Sequence, residues 1–82
     1  MVGHMYTVYI LKSMKDDKLY IGCTVDLKKR LEQHQKGYVR STKSRRPMQL
    51  VHSEQFADKY EAFRTERSYK TAKGKKILKD KI

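Results

Sequence analysis

Apolar residues gather in two short runs near the start of the chain, Tyr6-Thr7-Val8-Tyr9-Ile10-Leu11 and Leu19-Tyr20-Ile21-Gly22. Between them lies the polar stretch Ser13-Met14-Lys15-Asp16-Asp17-Lys18. β-Branched and aromatic residues flanking a turn-forming segment predict a β-hairpin. In the first strand Thr7, Tyr9 and Leu11 project to one face and Tyr6, Val8 and Ile10 to the other. Neither face is polar, so this strand is expected to be central in its sheet. In the second strand Leu19 and Ile21 oppose Tyr20 and Gly22. An even-numbered turn puts Tyr9 and Tyr20 on one face and an odd one separates them. The shared face is the expectation, although from the hairpin alone plain packing is the favoured reading of two mid-strand tyrosines.

After Gly22 the period changes from two to that of a helix. Thr24 is a candidate cap, Asp26 suits the first turn, and the helix is expected over 25–36 with Gly37 as its stop. Leu27 and Leu31 define its apolar stripe. At about 100° per residue, Arg30 falls about 60° to one side of Leu27 and His34 within about 20° of it. Lys28, Lys29, Glu32, Gln33 and Lys36 lie on the solvent side. Three readings stay open for the two polar residues: a narrow stripe with Arg30 snorkelling to water, a satisfied boundary histidine, or a shared site at the sheet surface.

Residues Tyr38 to Pro47 read as a loop in which Arg40, Lys43, Arg45 and Arg46 interleave with hydroxyls. These cations can contact phosphates, Ser and Thr can hydrogen-bond them, and Tyr38 can stack on a base; a solvated surface loop is the plain alternative. Met48 to Ser53 predicts a third strand, whose His52 reads as structural. Asp58-Lys59-Tyr60-Glu61 has the form of a capping box for a second long helix, expected to run to about Lys73 and end at Gly74. Its inner stripe is read as Ala62, Phe63 and Tyr69, with Glu66 between the first two. A carboxylate there is costly unless paired or metal-bound. An i, i+4 pair with Lys70 and a metal or substrate role are equal readings of it on geometry alone. The tail after Gly74 is expected to form a short helix docking Ile77 or Leu78.

The predicted fold is α+β: a small three-stranded, mainly antiparallel sheet flanked by helices, in the order β-β-α-β-α(-α). The 82 residues make one small domain, read as 6–82. Gly3-His4-Met5 resembles a tag-removal scar, so residues 1–5 are read as lying outside the domain. A net charge of +11, from 20 Lys and Arg against nine Asp and Glu, points to a polyanionic partner, most simply nucleic acid. No run of about 18 apolar residues is present to span a membrane. The single cysteine, Cys23, excludes an internal disulfide, and no signal peptide is visible, so a reducing cytoplasm is expected.

The residues out of place in this pattern, Tyr9, Tyr20, Arg30, His34 and Glu66, resemble the GIY-YIG nucleases when taken in order. In that family a Gly-Ile-Tyr strand precedes a Tyr-Ile-Gly strand; here the two are Thr7-Val8-Tyr9 and Tyr20-Ile21-Gly22. An Arg and a His one turn apart follow on the first helix, as Arg30 and His34 do, and Glu66 matches the family's metal glutamate. Arg46-Pro47 before the third strand is similar to the small stand-alone bacterial members. The first motif keeps only its tyrosine, and Cys23 stands where some repair members carry lysine.

The resemblance implies a metal-dependent endonuclease acting on nucleic acid, DNA before RNA, in repair or recombination. It implies one Mg²⁺ or Mn²⁺ held by Glu66, Arg30 on a phosphoryl oxygen, Tyr9 as general base with His34 as the alternative, and Tyr20 orienting water or phosphate. Tyr38, Arg40, Lys43, Arg45, Arg46 and Lys70 would contact the nucleic acid, with a protein partner supplying specificity. Two rivals are a nucleic-acid-binding module without turnover and a basic adaptor for an acidic protein.

Overall fold

Strand β1 (Tyr6–Ser13) forms the middle of the sheet, because its two faces are both apolar and both have to be covered. The computed structural model describes residues 5–82; of residues 1–5, read as a tag remnant, 1–4 lie outside the described residues. β2 (Leu19–Thr24) and β3 (Met48–Phe56) pair with β1 on either side, both antiparallel, in the order β2-β1-β3. The fold is α+β, with elements in the order β-β-α-α-β-α-α. The third strand extends three residues beyond the predicted Ser53, because Glu54, Gln55 and Phe56 continue the ladder opposite Val8, Thr7 and Tyr6.

The register pairs Tyr9 with Gly22 and Leu11 with Tyr20, so both tyrosines lie on one face. That face meets helix α1 (Leu27–Lys36): Tyr9, Leu11 and Met48 form its core, with Tyr20, Leu27 and Leu31 packed against them. On the opposite face Val8, Ile10 and Ile21 are covered by Ala62 and Tyr69 of α3 (Lys59–Tyr69) and Leu78 of α4 (Ala72–Lys81). One thin sheet therefore serves two small cores.

Several helix boundaries differ from expectation. Asp26, not Thr24, caps α1 by accepting from the Lys29 amide, while the Thr24 hydroxyl, two residues before the cap, accepts from the Asp26 amide. Gly37 does stop the helix, in the left-handed conformation. The predicted basic loop contains a four-residue helix, α2 (Arg40–Lys43), which turns Thr42 inward. Asp58 caps α3 through the Tyr60 amide; among the described residues no reciprocal Glu61 bond forms.

Phe63 is 44% exposed rather than core. Tyr69 falls within about 20° of Ala62 on the helical wheel, whereas Phe63 falls about 100° away, so the buried stripe centres on the first pair. α3 stops at Tyr69, and Thr71 caps a new helix by accepting from the Gly74 amide. Gly74 is thus inside α4 and buried. A Cβ there would overlap the Ser68 carbonyl, so the glycine lets α4 turn tightly off the end of α3. Leu78 docks as expected and Ile77 faces outward.

In an ordinary helix Gly→Ala stabilises by about 1 kcal/mol. Gly74→Ala should instead destabilise the domain by about 1–3 kcal/mol through overpacking, measured by urea unfolding.

Candidate active site

Tyr9 is carried by the central strand and points at α1, where Gly22 on the neighbouring strand leaves room for its ring. A Cβ at Gly22 would overlap the Tyr9 hydroxyl, so the glycine of Tyr20-Ile21-Gly22 is a cradle for that phenol. Its hydroxyl is 3.0 Å from His34 Nε2, and Arg30 Nε donates to it at 3.3 Å. Arginine cannot accept, so among these partners only Nε2 can take the phenol's one proton, a direction that goes with the Nδ1-protonated tautomer of His34. His34 is then protonated on Nδ1, which donates to Thr42 Oγ1 at 2.8 Å, and Thr42 donates onward to the Val39 carbonyl at 3.4 Å. From Tyr9 to Thr42 every hydroxyl and ring proton then has an acceptor. Arg30 is fixed further by Nη1 donating to Gln33 Oε1 at 3.1 Å.

His34 is 0% exposed and Tyr9 1% exposed. Burial pushes the His34 pKa below its ordinary value, and the Arg30 charge pushes the same way, so the imidazole is neutral at pH 7. Burial pushes the Tyr9 phenol upward; the Arg30 hydrogen bond opposes this, and Tyr20 and Glu66 add to the rise. The phenol is therefore protonated at neutrality despite the guanidinium beside it. The Tyr20 ring closes the group, 6.4 Å from the Tyr9 ring and 5.1 Å from His34 between centroids. Of the two tyrosines, Tyr20 is the half-buried one.

Arg30 also lines a cleft of about 470 Å³ with Cys23, Thr24, Val25, Asp26, Lys29 and Gln33. Glu66 approaches from α3 at about 40° from Ala62, the flank of the buried stripe. Its carboxylate is half-buried and pairs with Lys70 at 3.3 Å. Its charge reaches both Tyr9 and Cys23, whose thiol is raised by burial first and by Glu66 second. Among the described residues no cluster of three or more His, Cys, Asp or Glu could hold a metal ion. Glu66 lines a separate groove with Phe63, Arg67 and Lys70 rather than the Arg30 cleft, and a lone carboxylate there fits a hard divalent ion that takes its remaining ligands from water and substrate phosphate.

The other candidate residues are spread more widely. Tyr38 is 75% exposed, and Arg40 and Lys43 face solvent from α2. Arg46 donates to the Lys43 and Gln35 carbonyls, so its guanidinium fastens the turn before β3. Arg45 reaches the hairpin turn, 3.6 Å from Asp16. His52 pairs with Glu54 on the far face, where Tyr69 and Lys81 join it. Two contributors escaped the sequence pattern. Thr42 looked like one more hydroxyl of a basic loop, and Gln33 like a solvent residue. Thr42 has no local signal, since it acts eight residues away, whereas Gln33 stands three residues from Arg30 on the same helix, a spacing that could have found it.

Residues 5–79 match the family model described as the GIY-YIG catalytic domain. A UPF0213 protein of Staphylococcus saprophyticus is 44% identical over 73 residues, 88% of each chain. A UPF0213 protein of Bacillus pumilus is 43% identical over 77 residues, 93% of this chain and 78% of its own. The solution NMR structure of a UPF0213 protein from Bacillus halodurans superposes with a TM-score of 0.59 at 34% identity, covering 93% of this chain and 83% of that one.

The depressed His34 pKa makes stability depend on pH. Below about 6.5 the unfolded histidine takes up a proton that the folded one refuses. The stability contributed at this position is therefore complete above about pH 6.5 and is lost as the pH falls toward the folded value. In urea titrations the difference between the wild type and His34→Gln should shrink between pH 7 and pH 5. A difference that grows on acidification would mean that His34 is charged in the fold.

Proposed function

The chain belongs to the GIY-YIG family, and from that premise we propose that it is an endonuclease that cleaves phosphodiester bonds in nucleic acid, DNA foremost, with one divalent metal ion. The observation that carries the reading is the directed chain Arg30–Tyr9–His34–Thr42 beside the cleft. A wholly structural network would not need an arginine in it with donors to spare.

A phosphodiester repels hydroxide and gathers further charge on its phosphoryl oxygens as it is cleaved. Arg30 uses Nε on Tyr9 and one Nη1 hydrogen on Gln33. Its other hydrogens form a fixed fork for a nonbridging oxygen. Water gives a proton to the Tyr9 oxygen while the phenol's own proton passes to His34 Nε2. The hydroxide formed attacks phosphorus, and the bond to the leaving 3′-oxygen breaks. The phenol thus works as a relay, which suits its raised pKa better than acting as a standing phenolate would. Thr42 holds the tautomer that keeps Nε2 free. Tyr20 orients the water or phosphate at the rim. Glu66 would hold Mg²⁺ or Mn²⁺, which when bound neutralises charge on the phosphoryl and leaving oxygens. Tyr38, Arg40, Lys43, Arg45, Arg46 and Lys70 would meet the nucleic acid, and a partner protein would supply specificity. DNA repair or recombination in the cytoplasm is the setting this implies.

The Glu66–Lys70 ion pair favours a second reading, a binding module without turnover in which Glu66 is a salt-bridge residue. One experiment separates the two. Structured DNAs and RNAs are incubated with Mg²⁺, Mn²⁺ or EDTA. Arg30→Ala and Glu66→Ala should each lower metal-dependent cleavage by about 10²–10³-fold while leaving the circular dichroism spectrum unchanged. Gly22→Ala, which displaces the Tyr9 hydroxyl, should lower it too. Cleavage that is equal with and without these residues would sink the nuclease reading, and salt-dependent binding without cleavage would support the second.

A further inference from the structure

Away from that cleft, a second groove of about 500 Å³ is lined by Asp17, Lys18, Leu19, Arg45, Lys75 and Lys79. It shares no residue with the clefts that contain Arg30 and Glu66. We propose that this groove is a second phosphate-binding site, which holds the backbone of a nucleic-acid strand or arm at a distance from the bond being cut. The proposal rests on the nucleic-acid reading above and adds a place where the substrate is held.

Four cations face one carboxylate in the groove, and Asp17 is already engaged by Lys12 at 3.8 Å. Arg45 carries the strongest sign of a ligand. Its Nε and one terminal nitrogen are buried, yet among the described residues neither has a hydrogen-bond acceptor. Asp16 lies 3.6 Å from Nε, near enough for charge but too far for a hydrogen bond. Buried donors left without acceptors are costly, and the part of the Arg45 side chain that is 24% exposed is what the groove presents to a phosphate oxygen.

The backbone around Arg45 is held firmly. Ser13 Oγ donates to the Arg45 carbonyl at 2.7 Å, Lys15 Nζ to the Ser44 carbonyl at 3.3 Å, and the Met14 amide to the Pro47 carbonyl at 2.8 Å. Lys75 and Lys79 stand one turn apart on α4, a like-charge pairing that is unfavourable until an anion lies between or beside the two. Fully buried Leu78 and the close approach of Gly74 to Ser68 fix how this helix presents them. Leu19 is three residues from Gly22 along β2, or about 10 Å. A strand seated at Lys18 and Arg45 is thus offset from the Tyr9 position by more than one nucleotide.

The test compares two double variants that remove equal charge from α4. Lys75→Gln with Lys79→Gln empties the groove of two cations. Lys73→Gln with Lys76→Gln removes two exposed lysines that do not line it. Binding of labelled single-stranded and duplex DNA is followed by fluorescence anisotropy in EDTA over a salt series. The groove pair should reduce the slope of log K against log salt by about 1.8 on duplex, or about 1.4 on a single strand. The control pair should change it by less than half as much. Equal effects from the two pairs, no effect from the groove pair, or no binding at low salt would overturn the site. So would binding to phosphatidylglycerol vesicles without binding to DNA. If the groove pair alone loses slope while the wild type cuts nothing, the groove stands and the nuclease reading falls. If the wild type cuts and the two pairs behave alike, only the groove falls.

Discussion

The hydrogen bond between the Tyr9 hydroxyl and His34 Nε2 joins the central strand to the first helix through the middle of an apolar interface. Two polar side chains with almost no exposure have to satisfy each other or destabilise a domain whose core is already thin. The rest of the α1 side follows from that demand. Gly22 lacks a side chain because the phenol occupies the space, and α2 exists as a single turn that brings the Thr42 hydroxyl under Nδ1. Arg30 closes the chain at the open end, where its remaining donors face the cleft.

The same sheet separates two kinds of polar cluster. On the α1 side the network is neutral apart from Arg30, and burial keeps Tyr9 protonated and His34 unprotonated. On the other side Glu54 is charged and satisfied by Tyr69, His52 and Lys81, a closed set that ties α4 to β3. The contrast lies in what is left over. Three partners converge on Glu54 Oε2, whereas Arg30 and Arg45 each keep donors that no described residue uses up. Unspent donors at rigid positions are what an anionic substrate can use.

Much of this arrangement was legible in the chain. Period-two alternation fixed the faces of β1 and β2, and an even-numbered connection put Tyr9 and Tyr20 together. Arg30 and His34 stood out because a helix stripe that should be apolar was not. Other features depended on contacts distant in sequence. Thr42 acts on a residue eight positions earlier, through a helix too short to have its own period. Gly74 carries the same residue-level signal as a helix stop, but its role is a close approach to Ser68. Phe63 adjoins Ala62 in sequence but lies about 100° from it on the helix, whereas Tyr69, a turn and more away, sets the true centre of the stripe. Glu66 is half-buried for the same reason, at the edge of that stripe rather than within it.

The account depends on where the protons lie between Tyr9, His34 and Thr42, and long-range proton–nitrogen NMR of the His34 imidazole measures this directly. The spectrum should show Nδ1 protonated and Nε2 bare, with the ring staying neutral as the pH is lowered past about 6.5. A ring protonated on Nε2, or one that becomes doubly protonated at or above that pH, would contradict the relay.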